Sequence, residues 1–366
     1  MSIASLKTMQ RFTSASAPKE IYWEVTRSCP LACAYCPSRS TAEQHPRELT
    51  TEEALALIDH LANFGSPPPR LIFTGGNPLC RPDLFDLIRR TKAHGFPLAV
   101  ELSALPELSV DRLKELAVAG VESVTLNLNG SDAETHDRVS AIPGSYDRTR
   151  MLAQSVLQSG LKLEINTLVA DQTLTQIPAI FEQVRAWQAS VWNLYFYIPV
   201  NGNQGLQALS PMQKEVLLWW IAETEQTVPF KIRGHLSPSL NRVRIEKRLR
   251  DGQRLDDILQ DETISEDFGL RPGNGLLFIT HVGDIQPGPF VPVTEGNVRT
   301  RSVIRAYQRS RLFRDLRKPD QFGGKCRHCP FNKVCGGSRA FAFHTKGDWL
   351  GVDPSCPYQP QRVAAS

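Results

Sequence analysis

The sequence predicts an α/β protein that opens with a partial barrel of six βα units and carries a second, smaller region behind it. Three observations support that reading. Apolar, β-branched or aromatic runs alternate with helical patterns from Ile21 to about Val200. The alternation stops after Pro199, at the turn-rich stretch Asn201–Gly205. From Arg271 onward Gly and Pro become frequent, and four of the eight cysteines appear there.

Local pattern places each element. Residues 1–18 are rich in Ser, Ala and Thr without a period and read as an arm. Strands are expected at Ile21–Thr26, Arg70–Thr74, Pro97–Ser103, Ser123–Asn129, Lys162–Val169 and Val191–Pro199. Thr50–Phe64 starts with a capping-box-like Thr50-Thr51-Glu52-Glu53 and sets Leu55, Ile58 and Leu61 on one face. Pro82–His94, Val110–Ala119, Tyr146–Ser159 and Pro178–Ala189 read as further helices, with Gly95, Gly120 and Gly160 where C-caps belong. Six strands are too few for a closed eight-stranded barrel and enough for an open one. Pro211–Thr227 has an amphipathic helical pattern, and residues 233–270 are charged and weakly periodic, a connecting segment.

Composition removes several function classes. A hydrophobic fraction of 41% and a charged fraction of 22% exclude global disorder. The longest strongly apolar run, Val216–Ala222, falls far short of a membrane span. A net charge of +4, scattered along the chain, does not argue for nucleic acid. No basic, apolar leader opens the chain, so a cytoplasmic setting with reduced thiols is expected.

Cys29, Cys33 and Cys36 follow the first strand with C-x3-C-x2-C spacing, and Tyr35 immediately precedes the third. Three thiolates this close can take three corners of a [4Fe–4S] cube and leave one iron open. A zinc site or three buried structural cysteines are the alternatives. This loop resembles that of the radical S-adenosylmethionine (SAM) superfamily, and the resemblance covers nearly the whole chain. It implies a partial (β/α)6 barrel, a [4Fe–4S] cluster whose open iron is chelated by SAM, and reductive cleavage of SAM to a 5′-deoxyadenosyl radical that abstracts hydrogen from substrate. It also implies a reduced flavodoxin- or ferredoxin-type electron donor.

Further stretches resemble the superfamily's SAM contacts. Gly75, Gly76 and Asn77 stand where G-G-E-P is usual, with Asn77 replacing the Glu. Glu101 and Ser103 end the third strand, Asn129 takes the place of an Asp after the fourth, and Asn166 lies on the fifth. Each alone reads equally well as a strand-end polar residue serving loop backbone. Tyr35 joins this set as the aromatic of the cysteine loop.

Cys326, Cys329 and Cys335 form C-x2-C-x5-C, and Cys356 follows 21 residues later. These four resemble the SPASM-type extension of radical SAM enzymes, which implies a second, fully ligated [4Fe–4S] cluster; a structural zinc knuckle is the alternative. Full SPASM domains carry more cysteines, one shortly after a G-x-I-x-P turn. Here Gly288 follows Gly283-Asp284-Ile285-Gln286-Pro287, and only Cys80 is left over, so two clusters are expected and not three. The resemblance divides the chain into an arm (1–18), the barrel (19–200), a helical connection (201–270) and the auxiliary-cluster domain (271–366).

The substrate is less determined. The segments Glu295–Arg299 and Ser310–Arg317 resemble radical SAM/SPASM proteins of heme and heme d1 biosynthesis, which alter tetrapyrrole side chains. The sixth strand sets Trp192, Leu194 and Phe196 on one face and Asn193, Tyr195 and Tyr197 on the other; either one face stacks a planar macrocycle or the aromatics pack against flanking helices. The basic run Arg242, Arg244, Lys247, Arg248 and Arg250 either meets propionates or is a solvated face. Radical modification of a peptide is the competing enzyme reading, weakened because only about 20 residues precede the first strand. A non-catalytic iron–sulfur scaffold is the third.

Overall fold

The computed structural model describes residues 6, 12–31, 33, 35, 36, 38–105, 108–200 and 205–360. Most of the expected turn at 201–205 and much of the arm lie outside the described residues. The strands are β1 (Glu20–Thr26), β2 (Arg70–Gly75), β3 (Leu98–Glu101), β4 (Ser123–Asn127), β5 (Lys162–Val169), β6 (Val191–Phe196), β7 (Lys231–His235), β8 (Arg271–Pro272), β9 (Gly275–Ile279) and β10 (Ile285–Gln286). The helices of the barrel are α1 (Thr51–Leu61), α2 (Leu84–Ala93), α3 (Val110–Ala119), α4 (Ala133–Ser140), α5 (Ser145–Gln158) and α6 (Ile177–Ala186). They are followed by α7 (Pro211–Thr224), α8 (Ser239–Arg250), α9 (Leu255–Gln260), α10 (Glu262–Ser265), α11 (Val303–Arg309), α12 (Arg311–Leu316), α13 (Gly324–His328) and α14 (Arg339–Lys346).

The sheet runs β10-β9-β1-β2-β3-β4-β5-β6-β7, with β8 beside β9. Pairing is parallel from β9·β1 through to β6·β7, and only β10 runs antiparallel along this path. The six expected strands form in the expected order. β3, β4 and β6 end earlier than their apolar runs, because Leu102, Leu128 and Tyr197 each make one more ladder-like bond before the chain turns into a loop.

Period-2 alternation explains the two faces. Ile21, Trp23 and Val25 are fully buried on the outer face, where Trp23 meets Phe73 edge-on at 5.4 Å, while Tyr22 and Glu24 face the interior. Each such aromatic contributes about 2–3 kcal/mol through burial. α1 begins with a complete capping box: Thr50 N–H donates to Glu53 Oε2 (2.9 Å) and Glu53 N–H to Thr50 Oγ1 (3.3 Å). Gly120 closes α3 at φ +119°, and Gly95 and Gly160 follow α2 and α5, also with positive φ.

Strand β7 and helix α4 carry no apolar stripe in the sequence, and β9, though apolar, was not among the expected strands. β7 reads Lys-Ile-Arg-Gly-His, and its polar side chains are satisfied inside the fold: Arg233 with Glu20 (2.6 Å) and His235 with Asn193 (3.0 Å). β9 is a short run that pairs with β1 across some 250 positions. α4 buries Thr135, His136 and Ser140 along with Val139.

One face of β6 packs, while Tyr195 and Tyr197 on the other border the interior cavity, and most of the basic run is ion-paired. Trp192 and Leu194 are fully buried; Trp192 lies 6.0 Å from Phe181 of α6 and donates to Thr167 Oγ1 at 2.9 Å. Phe196 of the same set also borders the interior cavity. Arg242 pairs with Glu215 and Glu246, and Arg244 with Glu225 and Asp267, both guanidiniums being buried. Lys247 pairs with Asp251, Arg248 with Asp261, and Arg250 lies 4.2 Å from the Trp219 ring centre. The run is therefore the ion-paired face of α8 and does not offer open cations to propionates.

Candidate active site

A cavity of about 510 Å³ occupies the barrel interior and its mouth at the carboxyl ends of the strands. Inward side chains of the strands line it, as the alternation requires. A chain of polar contacts crosses its floor: Glu101 accepts from Thr74 and from Asn166 Nδ2 (3.3 Å), Asn166 Oδ1 accepts from Asn193 Nδ2 (3.0 Å), and Asn193 Oδ1 meets His235 Nε2 (3.0 Å). The His235 ring stacks on Tyr195 at 4.4 Å and 6°. Burial pushes the Glu101 carboxyl up and the His235 imidazole down to about 4.

Cys29, Cys33 and Cys36 all border this cavity, on the loop that leaves β1. Burial, and then the neighbouring Cys36 and Cys29 sulfurs, push the Cys33 thiol up to about 12. Cys29 Sγ lies 3.8 Å from Ser103 Oγ and Cys36 Sγ 3.4 Å from Ser40 Oγ. Glu48 anchors the start of this loop: its Oε1 accepts from Thr26 Oγ1 (3.1 Å) and Arg27 N–H (2.7 Å).

The remaining predicted residues divide. Gly75, Gly76, Glu101, Ser103, Asn129, Asn166 and Tyr35 line the cavity beside the three thiols. A Cβ on Gly75 would fall 2.1 Å from Thr26 O, and one on Gly76 2.2 Å from Ser28 O. Both glycines thus let β2 pass against the backbone just before Cys29, a constraint from the protein itself. Asn77 does not face the cavity. It is fully buried, its Oδ1 caps the short turn Pro78–Cys80 by accepting from Leu79 N–H at 3.2 Å, and its N–H donates to Ser28 O at 2.7 Å. Asn77 is thus the one expected contact that does not border the cavity among the described residues, and its Nδ2 is buried without a hydrogen-bond partner there.

The sequence reading missed Glu24 and His281. Glu24 Oε2 accepts from both the backbone N–H (3.2 Å) and Nδ1 of His281, a residue just past β9, and both line the cavity. Only the β1·β9 pairing brings them together, and no local motif announces it.

Cys326, Cys329, Cys335 and Cys356 converge on a second, small cavity, with Arg242, Lys325 and Tyr358 beside them. Gly337 N–H donates to Cys335 Sγ (3.3 Å) and Asp353 N–H to Cys326 Sγ (3.4 Å). Burial pushes the Cys335 thiol well up, with Cys356, Cys329 and Cys326 adding to the rise. Among the described residues no three His, Cys, Asp or Glu side chains close on one point as a single metal ion would need. Cys80 lies in the turn after Asn77, away from both groups of thiols.

Comparison with known proteins agrees with this geometry. The family model described as "Radical SAM superfamily" matches residues 23–184. An AdoMet-dependent heme synthase of Oleidesulfovibrio alaskensis is 32% identical over 351 residues, 94% of this chain and 89% of that protein. The chain belongs to the radical SAM superfamily. A PqqA peptide cyclase of Rhodopseudomonas palustris is 26% identical over 94% of the chain and 88% of its own length. Among solved structures, Streptococcus suis SuiB bound to S-adenosylmethionine superposes with a TM-score of 0.68 at 17% identity, covering 94% of this chain and 78% of that one. This radical SAM protein is accordingly an enzyme that uses SAM and a [4Fe–4S] cluster, on the partial barrel that its sequence predicted. No helix of the described residues is long and apolar enough to cross a membrane.

Proposed function

We propose that this radical SAM enzyme modifies a tetrapyrrole side chain, with Cys29, Cys33 and Cys36 holding the SAM-binding cluster and Cys326, Cys329, Cys335 and Cys356 holding a second. The substrate assignment is supported by full-length similarity, at about one residue in three, to a protein named for heme synthesis. Bound at Cys29, Cys33 and Cys36, the cluster supplies the electron that cleaves SAM. The chain's own residues do the rest. Ser103, Asn129, Asn166 and the backbone of Gly75 and Gly76 position SAM at the cavity wall, and Tyr35 braces the cysteine loop through Asn129. The stacked Tyr195 and His235 rings offer a flat aromatic surface in the same cavity, and burial keeps His235 neutral, so the imidazole adds no charge there. Four cysteines bordering one small cavity can supply the four thiolates of a fully ligated cluster.

A reduced flavodoxin- or ferredoxin-type protein is the proposed donor, in an oxygen-poor cytoplasm. The second reading, a peptide substrate, is favoured by the resemblance to the peptide cyclase. Anaerobic protein with dithionite, SAM and an iron-bearing carboxylated tetrapyrrole decides between them: 5′-deoxyadenosine together with mass loss from the tetrapyrrole is expected. 5′-Deoxyadenosine with an unchanged tetrapyrrole points to the peptide, and failure of the reconstituted protein to cleave SAM removes both readings.

A further inference from the structure

Three buried cations that form no ion pair among the described residues gather where the cavity approaches the second group of thiols. Arg339, on α14, is fully buried; its Nε donates to Gly337 O (3.2 Å), its Nη1 to Trp349 O (3.1 Å) and Gly351 O (2.8 Å), and its Nη2 lies 3.9 Å from Cys326 Sγ. Arg271 is bound to the carbonyls of Gly269 (3.0 Å) and Leu316 (3.3 Å). The two guanidiniums lie 4.2 and 5.6 Å from the ring centre of Phe322. Lys214, 1% exposed on α7, donates to Ser355 Oγ at 2.7 Å and lies 4.9 and 5.3 Å from the Phe341 and Phe196 ring centres. Of the nearby carboxylates, Glu215 pairs with Arg242, and Asp353 already accepts from Ser338 N–H (2.7 Å) and from the N–H and hydroxyl of Ser355 (2.9 and 2.7 Å).

Buried positive charge without a counter-charge is costly. Four thiolates around a [4Fe–4S] core carry a net double negative charge, which becomes triple when the core takes up one electron. The cations are therefore placed to favour the more negative state. We infer that Arg339, with Lys214 behind it, sets the reduction potential of the second cluster. The inference rests on the two-cluster reading and adds a role for Lys214, which borders neither cavity, and for Arg339, which also borders the large one. Arg339 also holds the 349–351 loop, so a fall in stability alone would not demonstrate the electrical role. The potential does.

The test uses the full-length chain with Cys29, Cys33 and Cys36 changed to Ala, leaving one cluster to observe. Its reduction by dithionite is followed by electron paramagnetic resonance, one electron per cluster passing from the reductant to the core. Arg339→Gln is expected to shift the reduction equilibrium about tenfold towards the oxidised form, equivalent to about 59 mV more negative. Lys214→Met should shift it in the same direction by a smaller factor, and Arg339→Lys should restore most of the loss. Should Arg339→Gln fail to retain its iron, Lys214→Met, which touches no thiol, carries the decision. An unchanged midpoint in Lys214→Met, or in an iron-replete Arg339→Gln, overturns the inference while leaving two clusters in place. A starting protein that holds no iron at Cys326, Cys329, Cys335 and Cys356 overturns the two-cluster reading and the inference together.

Discussion

Asn129 Nδ2 donates to the Tyr35 hydroxyl at 2.6 Å, joining the cysteine loop to the end of the fourth strand. The same side chain accepts from Leu168 N–H at 2.8 Å on the fifth strand, and its backbone N–H donates to His136 Nδ1 at 3.1 Å. One 1%-exposed residue thereby fixes three separate segments against one another. Asn129→Ala leaves the Leu168 N–H and the Tyr35 hydroxyl short of partners, a loss of about 1–3 kcal/mol. Asn129→Asp can accept from both, with the Tyr35 hydroxyl turned round as donor. Unfolding midpoints and SAM titrations should therefore rank wild type and Asn129→Asp together, above Asn129→Ala; equal SAM affinity in all three would contradict this bracing role.

The two thiol groups should be separable by iron content. Cys33→Ala is expected to lose about four irons per chain and all SAM cleavage, while Cys326→Ala loses about four irons and keeps SAM cleavage. Iron analysis paired with 5′-deoxyadenosine measurement checks both. An active Cys33→Ala retaining its full iron content would remove the assignment of Cys29, Cys33 and Cys36.

Gly76→Ala tests the close approach of the second strand to the cysteine loop. The added Cβ would lie 2.2 Å from Ser28 O and 2.6 Å from Arg27 O, both backbone atoms that cannot swing away. A destabilisation of about 1–3 kcal/mol is expected, with poorer iron uptake at the first site. Calorimetry and iron content after reconstitution measure the two effects; a variant as stable and as iron-rich as wild type would show that the loop yields freely.

His235 should leave a signature in the pH dependence of stability. Burial holds its folded value near 4, below the ordinary 6.5 of the unfolded chain. Between those two pH values the unfolded state binds more protons, so stability rises with pH across the window and is lost as pH falls, by about 1.4 kcal/mol per unit at most. Anaerobic denaturant unfolding from pH 6.5 to pH 5 should show a loss of about 2 kcal/mol that His235→Gln removes. Parallel curves for the two proteins would refute it.

The six strands of the barrel were legible because each buries an apolar outer face, as Ile21, Trp23 and Val25 do, and the helices between them because their caps are local, as at Thr50 and Gly120. The grouping of the cysteines was legible in their spacing, and the family resemblance supplied the expectation that each group holds a cluster. What escaped were features completed from far along the chain. β7 carries Arg233 and His235 inward, so it has no apolar stripe; only Glu20 and Asn193, on other strands, make it a strand. Arg242 and Arg244 looked like a basic face because Glu215 and Glu225 lie 27 and 19 residues away. Asn77 matched a motif position, yet its side chain follows the local rule for a turn cap. A motif specifies where the backbone passes, and the neighbouring turn decides where the side chain points.

The pairing of β9 with β1 has a consequence for biosynthesis. A ribosome must complete some 250 further residues after the first strand before its neighbour on that side exists. At about 5–20 residues per second the wait is on the order of tens of seconds. Through that interval the nascent barrel presents a bare edge of Ile21, Trp23 and their backbone groups, a template for wrong partners. Delivery of iron to a loop that begins three residues beyond that edge is best timed after β9 has docked, and truncation before Gly275 should yield chains that aggregate.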